Sequence, residues 1–266
     1  MTHTWVEHIW GTAITVDLRD APLPDTVEQV FTWFRQVDEV FSTWRPDSEI
    51  SRLGRGELRL RDVSAEVRSV LDLCDRVNEE SRGAFDVHVG ADPRVEPREG
   101  LGPIDPSGLV KGWALQRAAE MLRRTGVVNF AINAGGDVIT AGRPHPDTLW
   151  HVGIQHPWQR DKVAMVLAVS DVGVATSGRY ERGDHIIDPR TGAPARGLMS
   201  VSVVADDLAL ADGYATAALV LGDEGPAWLA EHGLAAVVIA DDTTVTVSTA
   251  LAPYRLPEAV PGPISA

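Results

Sequence analysis

The sequence has a single cysteine, few basic residues and no long hydrophobic run. Cys74 has no second cysteine with which to form an intramolecular disulfide or a thiolate metal cluster. Disulfide-rich scaffolds and zinc fingers are therefore excluded. No segment approaches the roughly 18 consecutive apolar residues that a membrane-spanning helix needs, so we expect no stable membrane insertion.

Acidic residues outnumber basic ones. Lys and Arg total 24 of the 266 residues against 38 Asp and Glu, and the formal net charge is -14. A field of that sign repels polyanions, so nucleic acid is not an expected partner. The first residues also lack the basic start and apolar core of a secretory signal, which predicts a cytoplasmic protein.

The sequence does contain enough apolar material for a sizeable core, since 44% of its residues are hydrophobic. No repeat occurs at a fixed period, and proline-rich stretches are confined to 92–106 and 253–263. We therefore expect residues 1–266 to form one domain with two lobes.

The spacing of apolar residues predicts four helices. The first follows Asp25, its expected cap, and ends near residue 41. The second opens at Ser64 and buries a stripe containing Cys74, which we interpret as a core residue and not a nucleophile. The third and fourth run from about 112 to 124 and from about 209 to 221, each closed by a glycine.

Six β-like runs lie between and beyond these helices. Helices and strands are mixed without strict alternation, which favours an α+β fold over a doubly wound sheet. The predicted strands are Ala13–Leu18, Val127–Ile132, Trp150–Gln155, Val163–Val169, Ser200–Val204 and Ala235–Ile239.

Five segments differ from ordinary core or surface. The first, Phe41–Leu53, carries Trp44 where a helix is expected to end at Pro46; this aromatic could stack on a planar ligand or belong to the core rim. The second, Gly83-Ala-Phe-Asp86, could present backbone amides and a carboxylate to a ligand, or simply end a helix.

Two further segments contain glycine-bearing loops. In Ile104–Ala114, which leads into the third predicted helix, free amides, the helix dipole and Lys111 suit a phosphate; a surface lysine at a helix start is the alternative. Its spacing is not that of a P-loop. In Asn133-Ala-Gly-Gly-Asp137 the glycines either let a ligand approach the backbone or form an ordinary turn.

The fifth segment pairs residues 176–192 with 211–216. Asp212 and Thr216 are four residues apart on the fourth predicted helix, so their oxygens project from one face. A carboxylate, a hydroxyl and carbonyl oxygens suit Mg²⁺ and not zinc, and Mg²⁺ commonly accompanies substrate phosphates. His185 could move a proton near neutral pH, although a histidine beside a proline-containing turn is also commonly structural.

The order of these segments resembles that of the ApbE-type FAD:protein FMN transferases. Each motif is weak alone, but all occur in register between about Gly11 and Gly222. They are Phe-Ser-x-Trp with Ser-Glu-Ile-Ser-Arg-Leu, Gly-Ala-Phe-Asp, Gly-x-x-Lys-Gly-x-Ala, Asn-x-Gly-Gly-Asp, Thr-Ser-Gly with His-Ile-Ile-Asp-Pro-x-Thr-Gly, and Ala-Asp-x-x-Ala-Thr. The resemblance implies a two-lobed, ApbE/T-fold-like α+β architecture with mixed, mainly antiparallel sheets and packed helices.

The resemblance also implies site residues. The expected contacts to FAD are Trp44, Ala84, Phe85, Asp86, Asp105 and Lys111. The expected magnesium ligands are Asp212 and Thr216, with the carbonyl oxygens of Gly108 and Ala215. His185 matches the histidine that the family uses in catalysis.

The implied reaction is Mg²⁺-dependent transfer of FMN from FAD to a Thr or Ser hydroxyl of an acceptor flavoprotein, with release of AMP. Mg²⁺ is then the cofactor, FAD a substrate and the acceptor flavoprotein a partner, in a post-translational flavinylation. Two alternatives stay open: an FAD pyrophosphatase that produces FMN and AMP, and a non-catalytic FAD-binding protein.

Overall fold

The fold is given by a computed structural model, which describes residues 3–88, 103–180 and 186–256. The strands are β1 (His3–Ile9), β2 (Thr12–Leu18), β3 (Phe130–Ala134), β4 (Asp137–Ala141), β5 (Trp150–Gln155), β6 (Val163–Val169), β7 (Gly173–Gly178), β8 (Leu198–Ala205), β9 (Ala235–Ala240) and β10 (Val245–Val247). The α-helices are α1 (Thr26–Phe41), α2 (Glu49–Gly54), α3 (Ala65–Glu80), α4 (Ser107–Arg124), α5 (Leu208–Leu221) and α6 (Gly225–Glu231). Among these helices, none has both the length and the apolar character of a membrane span.

Eight strands form one sheet in the order β1-β2-β3-β4-β7-β8-β9-β10, and every neighbouring pair is antiparallel. Strands β5 and β6 form a separate antiparallel ribbon. The predicted α+β class is therefore confirmed, and the sheets are antiparallel throughout the described residues.

The large sheet is covered on both faces. Ile139 on β4 belongs to the main core with the helices, whereas its neighbour Val138 packs with β5 and β6 in a second cluster. The same alternation assigns Ala175 on β7 to the helix side and Val174 to the ribbon side, as expected for side chains that alternate along a strand. By this period, Asp137 and Ser177 also face the helices.

The helix predictions are largely confirmed, with two corrections. Helix α4 begins at Ser107 instead of about Gly112, so Gly108 and Lys111 lie within its first turns and not in a preceding loop. The expected side-chain cap at Asp25 is also wrong. Asp25 adopts a left-handed conformation (φ 63°), and its side chain accepts no capping hydrogen bond from α1.

Candidate functional site

A cavity of about 870 Å³ opens where the end of α1, the segment 84–86, helices α4 and α5 and the end of β7 meet. Sites for small molecules typically have roughly 300–1,000 Å³, so this one is large enough for an extended ligand. Nine of the predicted site residues line it, namely Trp44, Ala84, Phe85, Asp86, Asp105, Gly108, Lys111, Asp212 and Thr216.

Two predicted residues are not brought to the cavity wall by the described part of the chain. Ala215 is fully buried within α5, one residue from Thr216. The predicted catalytic residue His185 lies outside the described residues. The neighbouring Ile186, Ile187 and Pro189 are described, and all three line the cavity.

The close contact of α4 with α5 fixes the carboxylate of Asp212. A Cβ at Gly112 would lie 2.9 Å from the Cβ of Asp212 and would overlap the carbonyl oxygen of Leu208, so a larger residue is excluded at this contact. The N–H of Gly112 donates to Asp212 Oδ2 at 3.0 Å. Gly112 therefore lets the two helices approach each other and orients the acidic group between them.

The electrostatic environment of Asp212 is unfavourable to an isolated negative charge. The residue is 3% exposed. Burial, and next the charge of Asp137, raises the pKa of Asp212 to about 8, while the charge of Lys111 and the Gly112 N–H act in the opposite direction. A carboxyl group in this position favours a bound proton or a bound cation over an uncompensated charge.

Three further oxygens lie together beside this face of α5. The hydroxyl of Thr216 is 2.8 Å from the hydroxyl of Ser177 on β7 and 3.5 Å from the carbonyl oxygen of Gly108 on α4. A Cβ at Gly108 would lie 3.1 Å from the ring of Phe85 and 3.2 Å from Thr216 Oγ1, so the glycine keeps this corner open.

The donor set fits a hard cation such as Mg²⁺, because Asp212, Thr216 and Gly108 offer carboxylate, hydroxyl and carbonyl oxygens. The described residues contain no group of three or more His, Cys, Asp or Glu side chains that could hold a metal ion. A cation here would therefore depend on neutral oxygens of the protein and on oxygens of a substrate or water to complete its coordination.

The sequence places Lys111 in a loop before the third predicted helix, whereas the structure places it in the first turns of α4. Its ammonium group forms an ion pair with Asp137, whose side chain is 1% exposed. The second oxygen of Asp137 accepts a hydrogen bond from the N–H of Thr176 at 2.9 Å. Both partners of Asp137, Lys111 and Thr176, line the cavity.

Asp137 was not among the predicted site residues, although its motif was singled out. The two glycines of that motif indicate a turn, and a turn does not reveal the role of the acid that follows it. One signal could have found it: a carboxylate directly before the apolar run of β4, whose residues are all buried. We refer to Gly108, Lys111, Asp137, Ser177, Asp212 and Thr216 together as the buried cluster, in which Asp137, Ser177 and Asp212 are buried and the other three are half-buried.

The segment that carries Phe85 is held from α3. The side chain of Asn78 donates to the carbonyl oxygen of Phe85 at 2.7 Å, and the N–H of Phe85 donates to Ser81 Oγ at 3.0 Å. These bonds fix the backbone, so that Ala84, Phe85 and Asp86 form a firm part of the cavity wall.

The remaining predicted contacts are more exposed. Asp105 accepts a hydrogen bond from the N–H of Ser107 at 3.0 Å, which stabilises the start of α4. Trp44 lies in the connection between α1 and α2 and is 90% exposed, although it lines the cavity. We refer to residues 42–44 as the exposed rim. A tryptophan this exposed is uncommon unless it binds a partner or ligand.

Cys74 agrees with its interpretation as a core residue. It lies on α3 within the main hydrophobic cluster and is 2% exposed. Burial raises the pKa of its thiol far above the usual range, so a reactive thiolate does not form there.

The fold is that of solved flavin transferases. The Vibrio cholerae structure titled "Flavin Transferase ApbE" superposes with a TM-score of 0.82 at 24% identity, covering 96% of this chain and 99% of that one. The ApbE protein of Thermotoga maritima gives 0.84 at 23% identity over 96% and 100% of the two chains. The ApbE family model matches residues 10–94 and 94–238, and the chain therefore belongs to the ApbE family.

Curated relatives carry the name FAD:protein FMN transferase. The Rhodobacter capsulatus protein is 39% identical over 152 residues, which cover 53% of this chain but only 29% of that protein. The Vibrio cholerae protein is 28% identical over 71% of both chains, and the Klebsiella pneumoniae protein is 27% identical over 76% of this chain and 73% of its own. The predicted family and enzyme class, a transferase, are confirmed.

Proposed function

We propose that the protein transfers FMN from FAD to a Thr or Ser hydroxyl of an acceptor flavoprotein and releases AMP, with Mg²⁺ as cofactor. The names of its relatives support the flavin chemistry. The observation that carries the proposal is the grouping of Asp212, Thr216 and Gly108 oxygens in the wall of a cavity of about 870 Å³.

Asp212, Thr216 and the Gly108 carbonyl would hold the magnesium ion, with the Ala215 carbonyl as a further predicted ligand. When bound, Mg²⁺ would neutralise the diphosphate and the charge that develops on the departing AMP. Such neutralisation suits a protein with a net charge of -14, which otherwise repels an anionic substrate.

The other residues bind and orient FAD. Trp44 and the firmly held Phe85 offer aromatic surface for its planar rings. Asp86 and Asp105 present carboxylates that can accept hydrogen bonds from hydroxyl or N–H groups of the ligand. An FAD pyrophosphatase would need the same residues. The two activities differ only in the attacking group, which is a protein hydroxyl in the transferase and water in the pyrophosphatase.

In the proposed transfer, the acceptor hydroxyl oxygen attacks the phosphorus on the FMN side of FAD. The phosphoanhydride bond to AMP breaks, and AMP leaves with its phosphate oxygens. His185 accepts the hydroxyl proton, a contribution typically worth about 10²–10⁴ in rate. The product is FMN joined to the acceptor by a phosphoester.

Incubation with FAD, Mg²⁺ and candidate flavoprotein subunits, cytoplasmic or facing the cytoplasm, tests the proposal. Mass spectrometry should find the mass of one FMN added to an acceptor, with an equal amount of AMP released, and EDTA should stop both. Rapid AMP release without any acceptor would instead establish a pyrophosphatase. FAD that stays intact with every acceptor would leave a binding protein.

A further inference from the structure

Ser177 presents a buried hydroxyl group to which the proposed reaction assigns no role. The residue lies near the end of β7, is 9% exposed and lines the cavity. In the described part of the chain, the hydrogen-bond partner of its side chain is the hydroxyl of Thr216 on α5, at 2.8 Å. Ser177 therefore contacts a proposed magnesium ligand directly from the sheet.

The direction of this hydrogen bond depends on where Thr216 sends its own proton. A hydroxyl donates one hydrogen bond and can also accept, whereas a carbonyl oxygen only accepts. Thr216 Oγ1 lies 2.8 Å from Ser177 Oγ and 3.5 Å from the carbonyl oxygen of Gly108. The Thr216 proton can therefore point to Gly108, with Ser177 donating to Thr216, or it can point to Ser177, which then accepts it.

A cation held by Thr216 and Gly108 is compatible with only one of these two arrangements. A metal ion binds a hydroxyl oxygen through a lone pair, and the carbonyl oxygen of Gly108 would face the same ion. The Thr216 proton then has no place between Thr216 and Gly108, because the cation lies there. Ser177 Oγ, at 2.8 Å, is the acceptor that the structure provides for this proton.

We propose that Ser177 is a positioning residue that accepts the Thr216 proton and so turns a lone pair of Thr216 toward a divalent cation. This inference rests on the proposed function, since it assumes that Thr216 and Gly108 bind the cation. Ser177 acts through Thr216 and need not touch the cation or FAD. Its own proton then faces the cavity, where water or a ligand oxygen can accept it.

Binding of Mn²⁺ in the presence of saturating FAD tests the proposal. Mn²⁺ takes the same kinds of oxygen ligand as Mg²⁺, and electron paramagnetic resonance measures the free ion. Ser177→Ala removes the acceptor, so its Kd for Mn²⁺ should be roughly three- to tenfold higher than that of the unmodified protein, the effect of one lost hydrogen bond. In EDTA, the affinity of this variant for FAD, measured by quenching of flavin fluorescence, should stay the same.

The double variant Ser177→Ala with Thr216→Val determines whether the effect passes through Thr216. When Thr216→Val is already present, Ser177→Ala should raise the Kd for Mn²⁺ no further, because the hydroxyl that Ser177 orients is gone. Ser177→Thr keeps an acceptor oxygen, and its Kd should lie closer to that of the unmodified protein than the Kd of Ser177→Ala does.

Ser202→Ala is the matched control. Ser202 on β8 is buried, and its hydroxyl pairs at 2.8 Å with the hydroxyl of Thr176, so the variant removes a hydroxyl pair of the same length. Ser202 is not among the residues that line the cavity. This variant should leave the Kd for Mn²⁺ unchanged.

The outcomes separate this inference from the proposed function. An unchanged Kd for Mn²⁺ in Ser177→Ala, in a protein shown to be folded by circular dichroism, would overturn the role of Ser177. A further rise in the double variant, or equal weakening in Ser177→Thr, would also overturn it. FAD binding that weakens equally in EDTA and in Mn²⁺ would do the same, since Ser177 would then act on the cavity itself. If the unmodified protein binds no Mn²⁺ with FAD, the proposed magnesium site is refuted, and this inference with it.

Discussion

The cavity joins two regions of opposite character. The buried cluster is built on α4, α5, β4 and β7, and hydrogen bonds and an ion pair link its side chains to one another and to the N–H groups of Gly112 and Thr176. The exposed rim lies in the connection between α1 and α2, and Trp44 there is 90% exposed. Under the proposed function, the groups that contact the diphosphate thus lie on rigid elements, whereas the rim lies in a connecting segment that can adapt to a ligand.

The comparison predicts that Asp212→Asn has the largest effect on activity. Transfer of FMN in the presence of Mg²⁺ should fall by about 10³ or more, because the only carboxylate in the proposed metal ligand set is lost. The thermal midpoint should stay the same or rise, since an acid whose ionisation burial opposes in the folded state is replaced by a neutral amide, while the bond to Gly112 is retained. Single-turnover assays and calorimetry measure the two effects, and near-normal transfer would refute the metal role.

Substitution at the helix contact should have the next largest effect. Gly112→Ala introduces a Cβ where α4 meets Leu208, so the helices must separate and Asp212 must shift. We expect a loss of about 1–3 kcal/mol in the free energy of unfolding, measured by urea titration, and roughly a 10²-fold loss in transfer rate. If the free energy of unfolding of Gly112→Ala equals that of the unmodified protein, the α4–α5 contact is less tight than the structure indicates.

Substitutions at Thr216 should have an intermediate effect on activity. Two variants distinguish the contribution of the hydroxyl from that of the side-chain shape. Thr216→Val removes the oxygen near Gly108 and Ser177, and we expect Mg²⁺ to activate transfer at about tenfold higher concentration. Thr216→Ser keeps the hydroxyl and serves as the matched control, with an activation curve close to that of the unmodified protein. Equal shifts in both variants would count against coordination by the hydroxyl.

Substitution in the exposed rim should have the smallest effect on the protein. Trp44→Ala should weaken FAD binding about three- to tenfold by loss of stacking, roughly 0.5–1.5 kcal/mol. Stability should change by less than about 0.5 kcal/mol because the side chain is exposed. Trp44→Phe retains an aromatic ring and should recover part of the affinity. A large loss of stability in Trp44→Ala would show that this residue belongs to the core.

The sequence predicts best those elements whose pattern has a local cause. The apolar stripe of α3 repeats at helical spacing, and the predicted strands at 150–155 and 163–169 coincide with β5 and β6. Strands β1, β4, β7 and β10 are not predicted. For β4 and β7, a sheet covered on both faces leaves little alternation between polar and apolar residues. The sequence predicts a helix start at about Gly112, whereas the structure places this glycine within α4, where it lets α5 approach.

In the candidate site, too, local spacing is predictable from the sequence and contacts between distant elements are not. The spacing of Asp212 and Thr216 on one helix is visible in the sequence, and the structure does bring both to the cavity. The pair of Lys111 and Asp137 depends on where β4 lies relative to α4, which no local pattern reveals. The sequence therefore singles out Lys111 but not Asp137, the carboxylate with which it pairs.

The most direct test of the magnesium site is a crystal structure of the protein soaked with FAD and Mg²⁺. We predict a cation about 2.1 Å from an Asp212 carboxylate oxygen and from the Thr216 hydroxyl, with oxygens of the FAD diphosphate completing its coordination. A flavin bound in the cavity with Asp212 and Thr216 turned away from any cation would contradict the assignment.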